Sequence, residues 1–330
     1  MARIEPVKWQ PPAAPGLVGM YEVNHALADV EIWPAPGVAP EDVVLDTQGH
    51  VYAGLEDGRI LRYGPDGGEP DILADTNGRP LGLEIDGDGN LVICDAYRGL
   101  LRLEPDGTLR TLADSFEGEP FLVTNNAAIG TDGTIYFSVS STRFDLAHYK
   151  LDLMEHSGTG RLFALHPDGD LEVLLDGLYF SNGVALSGGE SFVAVAETGM
   201  YRVSRLWLAG EHKGEVDVLV DNLPGFPDNV SQYGGVFWIA IPSPRDKIVD
   251  ALGPRPWLAK AVAGLPERFQ PAPSRHAIVV GVDEHGTVVH NLQDPDGAYA
   301  VITGVRQFGG YLYFGSLADP GIARLRLADD

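Results

Sequence analysis

A repeated unit of four short β-strands is the feature that most constrains how this chain can fold. Six segments share a polar dipeptide, an apolar strand, a turn and a second strand of alternating large apolar residues. Their second residues are 40, 44, 57, 46 and 74 positions apart, and most segments are followed by another pair of strands. Four strands in about 40–50 residues form a β-propeller blade, whereas a β-sandwich would not repeat such a unit. The six segments begin at Pro40, Pro80, Thr124, Ser181, Pro227 and Val301.

The repeat predicts an all-β chain that forms one six-bladed propeller domain over residues 1–330, with blades starting near 40, 80, 124, 181, 227 and 301. The last blade, residues 299–327, is one strand short. We expect an N-terminal strand near 28–33 (ADVEIW) to complete it and close the ring, which would remove exposed sheet edges. Nine Asp-Gly pairs supply the positive φ values of tight hairpins. Short helices are expected within 142–156 and at 257–269, where Pro266 interrupts the second one.

One position of the repeat brings polar side chains to the start of several inner strands. In a propeller the innermost strand of each blade lines the central channel, so equivalent positions lie at similar height around one axis. Two carboxylates and two carboxamides then converge, and such hard oxygen ligands suit Ca²⁺ better than zinc. The alternative is that each residue only bonds its own turn. Because the four residues stand at the same position of separate blades, a shared cation is favoured. The four predicted ligands are Glu41, Asn125, Asn182 and Asp228, and the same position in the other two blades is occupied by Leu81 and Ile302.

Charge and composition exclude several classes of partner. The chain carries 23 Lys and Arg against 47 Asp and Glu, a net charge of −24. Such a chain repels phosphate backbones and anionic lipid, so neither a nucleic acid nor a membrane is expected as a partner. No apolar run approaches the ~20 residues of a membrane span, and residues 1–17 lack a signal-type stretch. Cys94 is the single cysteine, which excludes an internal disulfide, and we expect a cytoplasmic protein.

Several local motifs resemble one known family. They are DGRI starting at Asp57, DAYRGLL starting at Asp95, AET starting at Ala196 and followed by RVSR starting at Arg202, and DNLPGFPDN starting at Asp221. With the repeat they resemble the strictosidine synthase-like group that includes the adipocyte plasma membrane-associated proteins. That group belongs to the wider superfamily of gluconolactonase, senescence marker protein and paraoxonase. The resemblance extends over nearly the whole chain.

This resemblance implies a six-bladed propeller with an axial calcium held by a Glu, two Asn and an Asp, which match Glu41, Asn125, Asn182 and Asp228. It also implies hydrolysis of lactones, aryl esters or organophosphates. The cation would act as a Lewis acid, and Asp228 would be a general base or a nucleophile.

Two departures from the family pattern bear on this reading. The plant synthases of the family use a carboxylate in the last blade, but residues 299–306 contain no acid. This departure argues against condensation chemistry. Related proteins also tend to have an Asp where this chain has Val139, so a polar contact beneath the site is expected to be missing.

Other candidates for substrate contact stand close to the predicted ligands in sequence. The aromatic residues among them would form an apolar wall, although core packing is the alternative. His148 lies near the first expected helix and would shuttle protons, or would simply be exposed. Asn229 would add a contact or cap its turn. The aromatic candidates are Phe121, Tyr179, Phe180 and Phe226.

Three functional hypotheses follow. The first is a metal-dependent hydrolase of a small lactone or related ester, with Ca²⁺ as the expected cation and another divalent cation as the alternative. The second is a binding or scaffold propeller whose cation is structural, because a fold alone does not give activity. The third is a metal-independent condensing enzyme of the synthase type, which needs an acid in the channel outside the ring of four ligands.

Overall fold

Short apolar strands separated by tight turns pair into six four-stranded antiparallel sheets. The computed structural model describes residues 4–327, except for the side chain of Glu267, so the predicted domain ends at 1 and 330 lie outside the described residues. Each sheet is one propeller blade, and the blades follow the repeat in order. The prediction of an all-β, six-bladed propeller is confirmed.

The strand bounds follow the repeat. The first strand is β1 (Glu31–Pro34). Blade one contains β2 (Val43–Leu45), β3 (Val51–Gly54), β4 (Arg59–Gly64) and β5 (Gly67–Asp75). Blade two contains β6 (Pro80–Ile85), β7 (Leu91–Asp95), β8 (Gly99–Leu103) and β9 (Leu109–Ala113), followed by a small hairpin of β10 (Ser115–Phe116) and β11 (Glu119–Pro120). Blade three contains β12 (Thr124–Ile129), β13 (Ile135–Val139), β14 (Gly160–Leu165) and β15 (Leu171–Leu178).

The remaining blades have the same plan. Blade four contains β16 (Ser181–Leu186), β17 (Phe192–Glu197), β18 (Arg202–Trp207) and β19 (Val216–Val220). Blade five contains β20 (Val230–Tyr233), β21 (Val236–Ile241), β22 (Ala277–Asp283) and β23 (Val288–Asp294). Blade six contains β24 (Ile302–Phe308), β25 (Tyr311–Ser316) and β26 (Gly321–Arg326).

The fourth strand of blade six comes from the other end of the chain. β1 pairs antiparallel with β26, so that Glu31 lies opposite Arg324 and Pro34 lies opposite Gly321. The Arg324 side chain donates from Nε to Glu31 Oε2 at 2.7 Å and lies over the Trp33 ring. The outer edge of this blade is therefore built from two segments nearly 300 residues apart.

Within the described residues, three α-helices lie outside the blades, in insertions between second and third strands. Within blade three, α1 (Tyr149–Glu155) follows a short 3₁₀ turn and ends at His156, whose φ is 53°. Within blade five, Asp246 accepts hydrogen bonds from the first amides of α2 (Lys247–Leu252), and Pro256 begins α3 (Pro256–Ala263). Both sequence-predicted helical regions are confirmed. No helix of the described residues is long and apolar enough to cross a membrane.

The two helical insertions and the N-terminal segment form one layer over the propeller, which we call the lid. The amides of Glu5 and Val7 donate to Glu155 Oε2 and Glu155 O at 2.7 and 2.8 Å, which fastens the N-terminal segment to α1. The Trp9 amide donates to Gly253 O at 3.0 Å, just after α2. An apolar cluster joins the three parts: Ile4, Phe144, Leu151, Met154, Leu252 and Ala259.

Further along the inner strands, a largely buried ion pair spans the channel. Arg306 on β24 donates from Nη1 to Glu84 Oε1 on β6 at 2.6 Å. Its other nitrogens donate to Leu83 O and Val43 O at 3.2 and 3.4 Å. The two charged side chains are 19% and 17% exposed. One guanidinium therefore ties blade six to blades one and two.

Candidate metal centre

The four predicted ligands lie around one cavity at the lid end of the channel. Asn125 and Asn182 are the second residues of the inner strands β12 and β16. Glu41 and Asp228 stand two residues before the inner strands β2 and β20. All four line a single cavity of about 310 Å³. The structure therefore brings together side chains that lie up to 187 residues apart in sequence (228 − 41).

The two carboxamides are held so that their oxygens are left for a ligand. Asn125 donates from Nδ2 to Ser140 Oγ at 3.0 Å, and Asn182 donates from Nδ2 to Thr198 Oγ1 at 3.3 Å. Within the described residues, Asn125 Oδ1, Asn182 Oδ1 and Glu41 Oε2 are buried and have no hydrogen-bond partner. Buried oxygens without partners are costly, so their clustering on one cavity wall indicates a positively charged ligand.

Ser140 and Thr198 orient the site but were not predicted from the sequence. Each follows the second strand of its blade, β13 or β17, at equivalent positions of the repeat. The register that found the ligands could therefore have found them too. Because Val139 replaces an acid, the sequence predicted that a polar contact beneath the site would be missing. Val139 is indeed buried in an apolar cluster. The polar contact beneath Asn125 is present, and the next residue along the chain supplies it.

A second layer of polar side chains lies beneath the four predicted ligands and joins different blades to one another. Asn229 donates from Nδ2 to Glu41 Oε1 at 3.1 Å, and Thr303 donates from Oγ1 to Glu41 O at 2.7 Å. Asp42 Oδ2 accepts from the Leu83 amide and from Asn126 Nδ2, at 3.2 and 3.3 Å. This layer fixes the inner strands against each other, so the ligand positions are set by the whole ring.

The electrostatics of the cavity favour a cation. Burial, with the nearby Asp228 carboxylate, raises the pKa of Glu41 well above its usual range. Burial also raises the pKa of Asp228 to about 7, against a hydrogen bond from Asn182 that lowers it. Two carboxylates that are buried together repel each other, and a divalent cation between them would offset both the repulsion and the burial cost.

The predicted substrate contacts divide into three groups. Phe180 and Phe226 line the cavity. Asn229 lies buried beneath the ring, where its side chain holds Glu41. The other three lie outside the cavity lining of the described residues, and each has a different role: Phe121, Tyr179 and His148.

Local packing explains these three placements. Phe121 packs on Phe137 and Phe163, with ring centroids 5.7 and 5.1 Å apart, and so belongs to the core between blades. Tyr179 stacks on His156 at 4.3 Å. His148 lies half-exposed in the 3₁₀ turn before α1, with Nδ1 2.6 Å from Asp145 Oδ1. Proximity in sequence to a ligand did not decide which aromatic rings face the cavity.

The lid forms the rest of the cavity wall, and this wall is mostly apolar. Side chains from α1 and α2 face the ring of ligands, together with the segment that follows α3. The sequence predicted the helices but not the residues that they present to the cavity. The apolar lid residues are Leu146, Leu153, Met154, Val249, Pro271 and Pro273.

Comparison with known proteins decides the family. The strictosidine synthase family model matches residues 125–211, and the model for the N-terminal part of strictosidine synthase-like proteins matches residues 19–63. The adipocyte plasma membrane-associated protein of Homo sapiens is 33% identical over 356 residues, covering 98% of this chain and 83% of the relative. This chain belongs to the strictosidine synthase-like family. Protein STRICTOSIDINE SYNTHASE-LIKE 13 of Arabidopsis thaliana is 35% identical over 294 residues, covering 78% of this chain and 73% of that protein.

Solved structures share the fold of this strictosidine synthase-like chain at low sequence identity. The gluconolactonase XC5397 from Xanthomonas campestris superposes with a TM-score of 0.67 at 18% identity, covering 99% of this chain and 98% of that one. The calcium-binding protein regucalcin from Agrobacterium tumefaciens gives a TM-score of 0.64 at 13% identity, with coverages of 90% and 93%. The predicted family is thus confirmed, and the similarity of these structures is a similarity of fold.

Proposed function

We propose that this protein is a divalent-cation-dependent hydrolase of small lactones or related esters. The observation that carries the proposal is the set of buried oxygens without partners, Glu41 Oε2, Asn125 Oδ1 and Asn182 Oδ1, beside the Asp228 carboxylate on one cavity wall. Hard oxygen donors and the lack of sulfur or imidazole in this set suit Ca²⁺. The residues present therefore fit the cation that the family resemblance implies.

The chemistry divides between the cation and the chain. When bound, the cation would supply Lewis-acid polarisation of the carbonyl or phosphoryl oxygen of the substrate. Glu41, Asn125 and Asn182 would hold it, with Ser140 and Thr198 fixing the two amides. These contacts orient the ligands before substrate arrives, so little reorganisation is needed.

Asp228 is the proposed reactive group. Its side chain is only partly buried at the cavity, whereas the other three ligands are almost fully buried. As a general base, its carboxylate would take a proton from a water whose oxygen attacks the acyl carbon. As a nucleophile, its carboxylate oxygen would bond to the acyl carbon while the ester bond breaks and its alcohol oxygen leaves, which gives a mixed anhydride that water then hydrolyses. Both routes place the same carboxylate next to the reacting carbon.

The cavity wall indicates the kind of substrate. Phe180 and Phe226 from the blades and Leu153 and Met154 from the lid present apolar surface opposite a small polar ring. A pocket of this composition binds an ester or lactone with an apolar body better than a polyhydroxylated one, whose hydroxyls would lose water without finding partners. The gluconolactonase fold of the structural neighbours supports hydrolysis but not a sugar substrate for this chain.

The condensing alternative finds less support. Outside the ring of ligands, the acids that line the cavity in the described residues are Glu56 and Asp246. Glu56 is exposed, and Asp246 Oδ1 accepts the Ile248 and Val249 amides at 2.6 and 3.2 Å as the cap of α2. Neither is a buried acid poised for proton transfer between an amine and an aldehyde.

The test is a panel of lactones, aryl esters and organophosphates, assayed with EDTA and with added Ca²⁺. We expect turnover that needs the cation and that falls by about 10²–10⁴-fold in Asp228→Ala. Phe226→Leu is the matched control, since it alters the same cavity without removing an oxygen and should change KM more than kcat.

Two outcomes would contradict the proposal. Full activity of Asp228→Ala would exclude this carboxylate from the mechanism. A protein whose thermal stability falls in EDTA but which turns over none of the panel would be the scaffold of the second hypothesis, with a structural cation.

A further inference from the structure

The lid carries an exposed apolar surface that the propeller does not use. Four large side chains in the insertion of blade five are exposed, and we call them the lid patch. Their exposed fractions are 58% for Ile248, 70% for Trp257, 44% for Leu265 and 62% for Phe269. Such side chains are normal when scattered singly, but several within one short segment indicate an interaction surface.

The helix α3 presents part of this patch on a face that packs against nothing in the described structure. Trp257, Lys260, Ala261 and Gly264 follow helical spacing and are all exposed. The opposite face, at Ala259 and its neighbours, packs into the apolar cluster of the lid. The helix is therefore already anchored by one side, and its outer side holds a tryptophan and a lysine toward solvent.

Charge distinguishes this insertion from the rest of the protein. Residues 244–275 contain six Lys or Arg against three Asp or Glu, while the whole chain has a net charge of −24. Two of the six cations are engaged in ion pairs, Arg245 with Asp250 and Arg275 with Asp319. The remaining four lie within three residues of a patch residue in sequence, and Arg268 lies over the Phe269 ring; they are Lys247, Arg255, Lys260 and Arg268.

The lid patch also adjoins the mouth of the cavity. Val249, next to Ile248, lines the cavity, and so do Gln270 and residues 271–273, which directly follow Phe269. A surface that engages the patch would therefore lie beside the entrance through which an apolar substrate reaches the ring of ligands.

We propose that the lid patch docks on an anionic lipid surface. Exposed Trp, Phe and aliphatic side chains among Lys and Arg form the composition of segments that lie in a membrane interface. The apolar groups would enter the boundary between headgroups and acyl chains, and the cations would contact lipid phosphates and carboxylates within a Debye length. The acidic remainder of the protein is repelled by the same surface, which would fix one orientation, with the lid facing the lipid.

This proposal differs from the expectation drawn from net charge alone. A charge of −24 predicts no attraction to anionic lipid when it is spread evenly. The insertion instead concentrates cations beside apolar side chains at one place. A docked lid would place the cavity mouth against a source of apolar molecules, but the docking itself requires no hydrolysis.

The experiment is co-sedimentation of the full chain with vesicles, without any ester and in EDTA, so that its result is independent of the proposed hydrolysis. One set of vesicles is phosphatidylcholine alone, and the other is an equal mixture of phosphatidylcholine and phosphatidylserine. We expect partition onto the anionic set. The double variant Trp257→Ser with Phe269→Ser should lower it at least about tenfold. Lys260→Gln should lower it about fivefold.

Matched controls separate docking from a general loss of apolar surface. Ile72 and Tyr233 are 56% and 48% exposed on the blades, so Ile72→Ser with Tyr233→Ser removes similar side chains away from the lid and should leave partition unchanged. Trp257→Phe should still bind, but it should lose the blue shift of tryptophan emission that insertion of Trp257 produces.

Four results would overturn the proposal. They are absence of partition onto the anionic vesicles, equal partition onto both sets, and an equal effect of the control pair. The fourth is a dimer in light scattering that Trp257→Ser dissociates, which would assign the lid patch to a second copy of this chain.

Discussion

Both ends of the central channel carry polar side chains, but these side chains are paired at one end and lack partners at the other. Away from the lid, Arg306 donates to Glu84 and to two backbone carbonyls, so opposite charges meet and share hydrogen bonds. At the lid end, Glu41 and Asp228 are like charges that burial brings together. Buried oxygens at that end have no partner in the described structure, among them Glu41 Oε2, Asn125 Oδ1, Asn182 Oδ1 and Asn229 Oδ1.

This difference distinguishes polar groups that hold the fold from polar groups that await a ligand. When the two members of a buried ion pair hydrogen-bond each other, they leave no unpaired polar atom for a ligand. Oxygens whose amide groups are already held, and which face no donor, are the groups that would hold the cation of the proposed function. Three changes can break or sharpen this distinction.

The largest effect is expected at the end away from the lid. Arg306→Met leaves Glu84 buried without its partner and removes two contacts to backbone carbonyls, so the free energy of unfolding should fall by about 3–5 kcal/mol. Urea unfolding measures this loss. Turnover and Ca²⁺-induced stabilisation of the folded protein should remain, because Arg306 does not line the cavity.

A second substitution tests whether the loss of stability in Arg306→Met comes from the unpaired charge of Glu84. Glu84→Gln combined with Arg306→Met removes the orphaned charge and should restore part of the stability. An Arg306→Met protein that is fully stable but no longer responds to Ca²⁺ would show that the two ends are not separate.

An intermediate effect is expected at His156, a buried group in the lid. Its ring is stacked between Trp9 and Tyr179, at 4.1 and 4.3 Å, and Nε2 has no partner among the described residues. Burial lowers the pKa of His156 to about 4. The unfolded chain takes up a proton near pH 6.5 while the folded one does not, so stability is complete above that pH and falls as the pH drops toward 4.

We therefore expect wild-type protein to lose about 2 kcal/mol more than His156→Asn between pH 7 and pH 5. Asparagine tolerates the left-handed backbone at this position, so the variant removes the imidazole with little strain. Chemical unfolding at the two pH values gives the difference. If the two proteins lose the same free energy of unfolding between pH 7 and pH 5, then folding does not lower the pKa of the buried imidazole.

The smallest change in stability, but of opposite sign, is expected at Glu41. Glu41→Gln keeps an oxygen for the Asn229 amide and removes one of two mutually repelling buried acids. In EDTA the variant should be more stable than wild type by about 1 kcal/mol. Added Ca²⁺ should raise the melting temperature of wild type and not of the variant. A variant that is less stable in EDTA, or that still responds to Ca²⁺, would remove Glu41 from the site.

The convergence of these four side chains on one cavity could be predicted, because a repeat converts linear spacing into position around an axis. Asn125 and Asn182 stand at one register of the inner strand, and Glu41 and Asp228 stand at the matching position just before it, so blade geometry brings them together wherever the connecting loops go. Ser140 and Thr198 obey the same register and could have been found by it.

The lid could not be predicted in the same way. Its residues come from the N-terminal segment and from two insertions that follow no repeat, and their arrangement depends on tertiary contacts such as that between Trp9 and Gly253. For the same reason Phe121, which sits close to a ligand in sequence, packs in the core instead. Whether a ring faces the cavity depends on the side of the strand or loop from which it projects.

The pairing of β1 with β26 has a mechanical consequence. Glu31 lies opposite Arg324 near the end of β26, and Pro34 lies opposite Gly321 at its start. A force applied between the segments before Glu31 and after Arg326 would load the same end of this pair. The backbone hydrogen bonds would then open one after another, like a zipper, instead of resisting together in shear. Under such a force the pair would open first at the contact between Glu31 and Arg324.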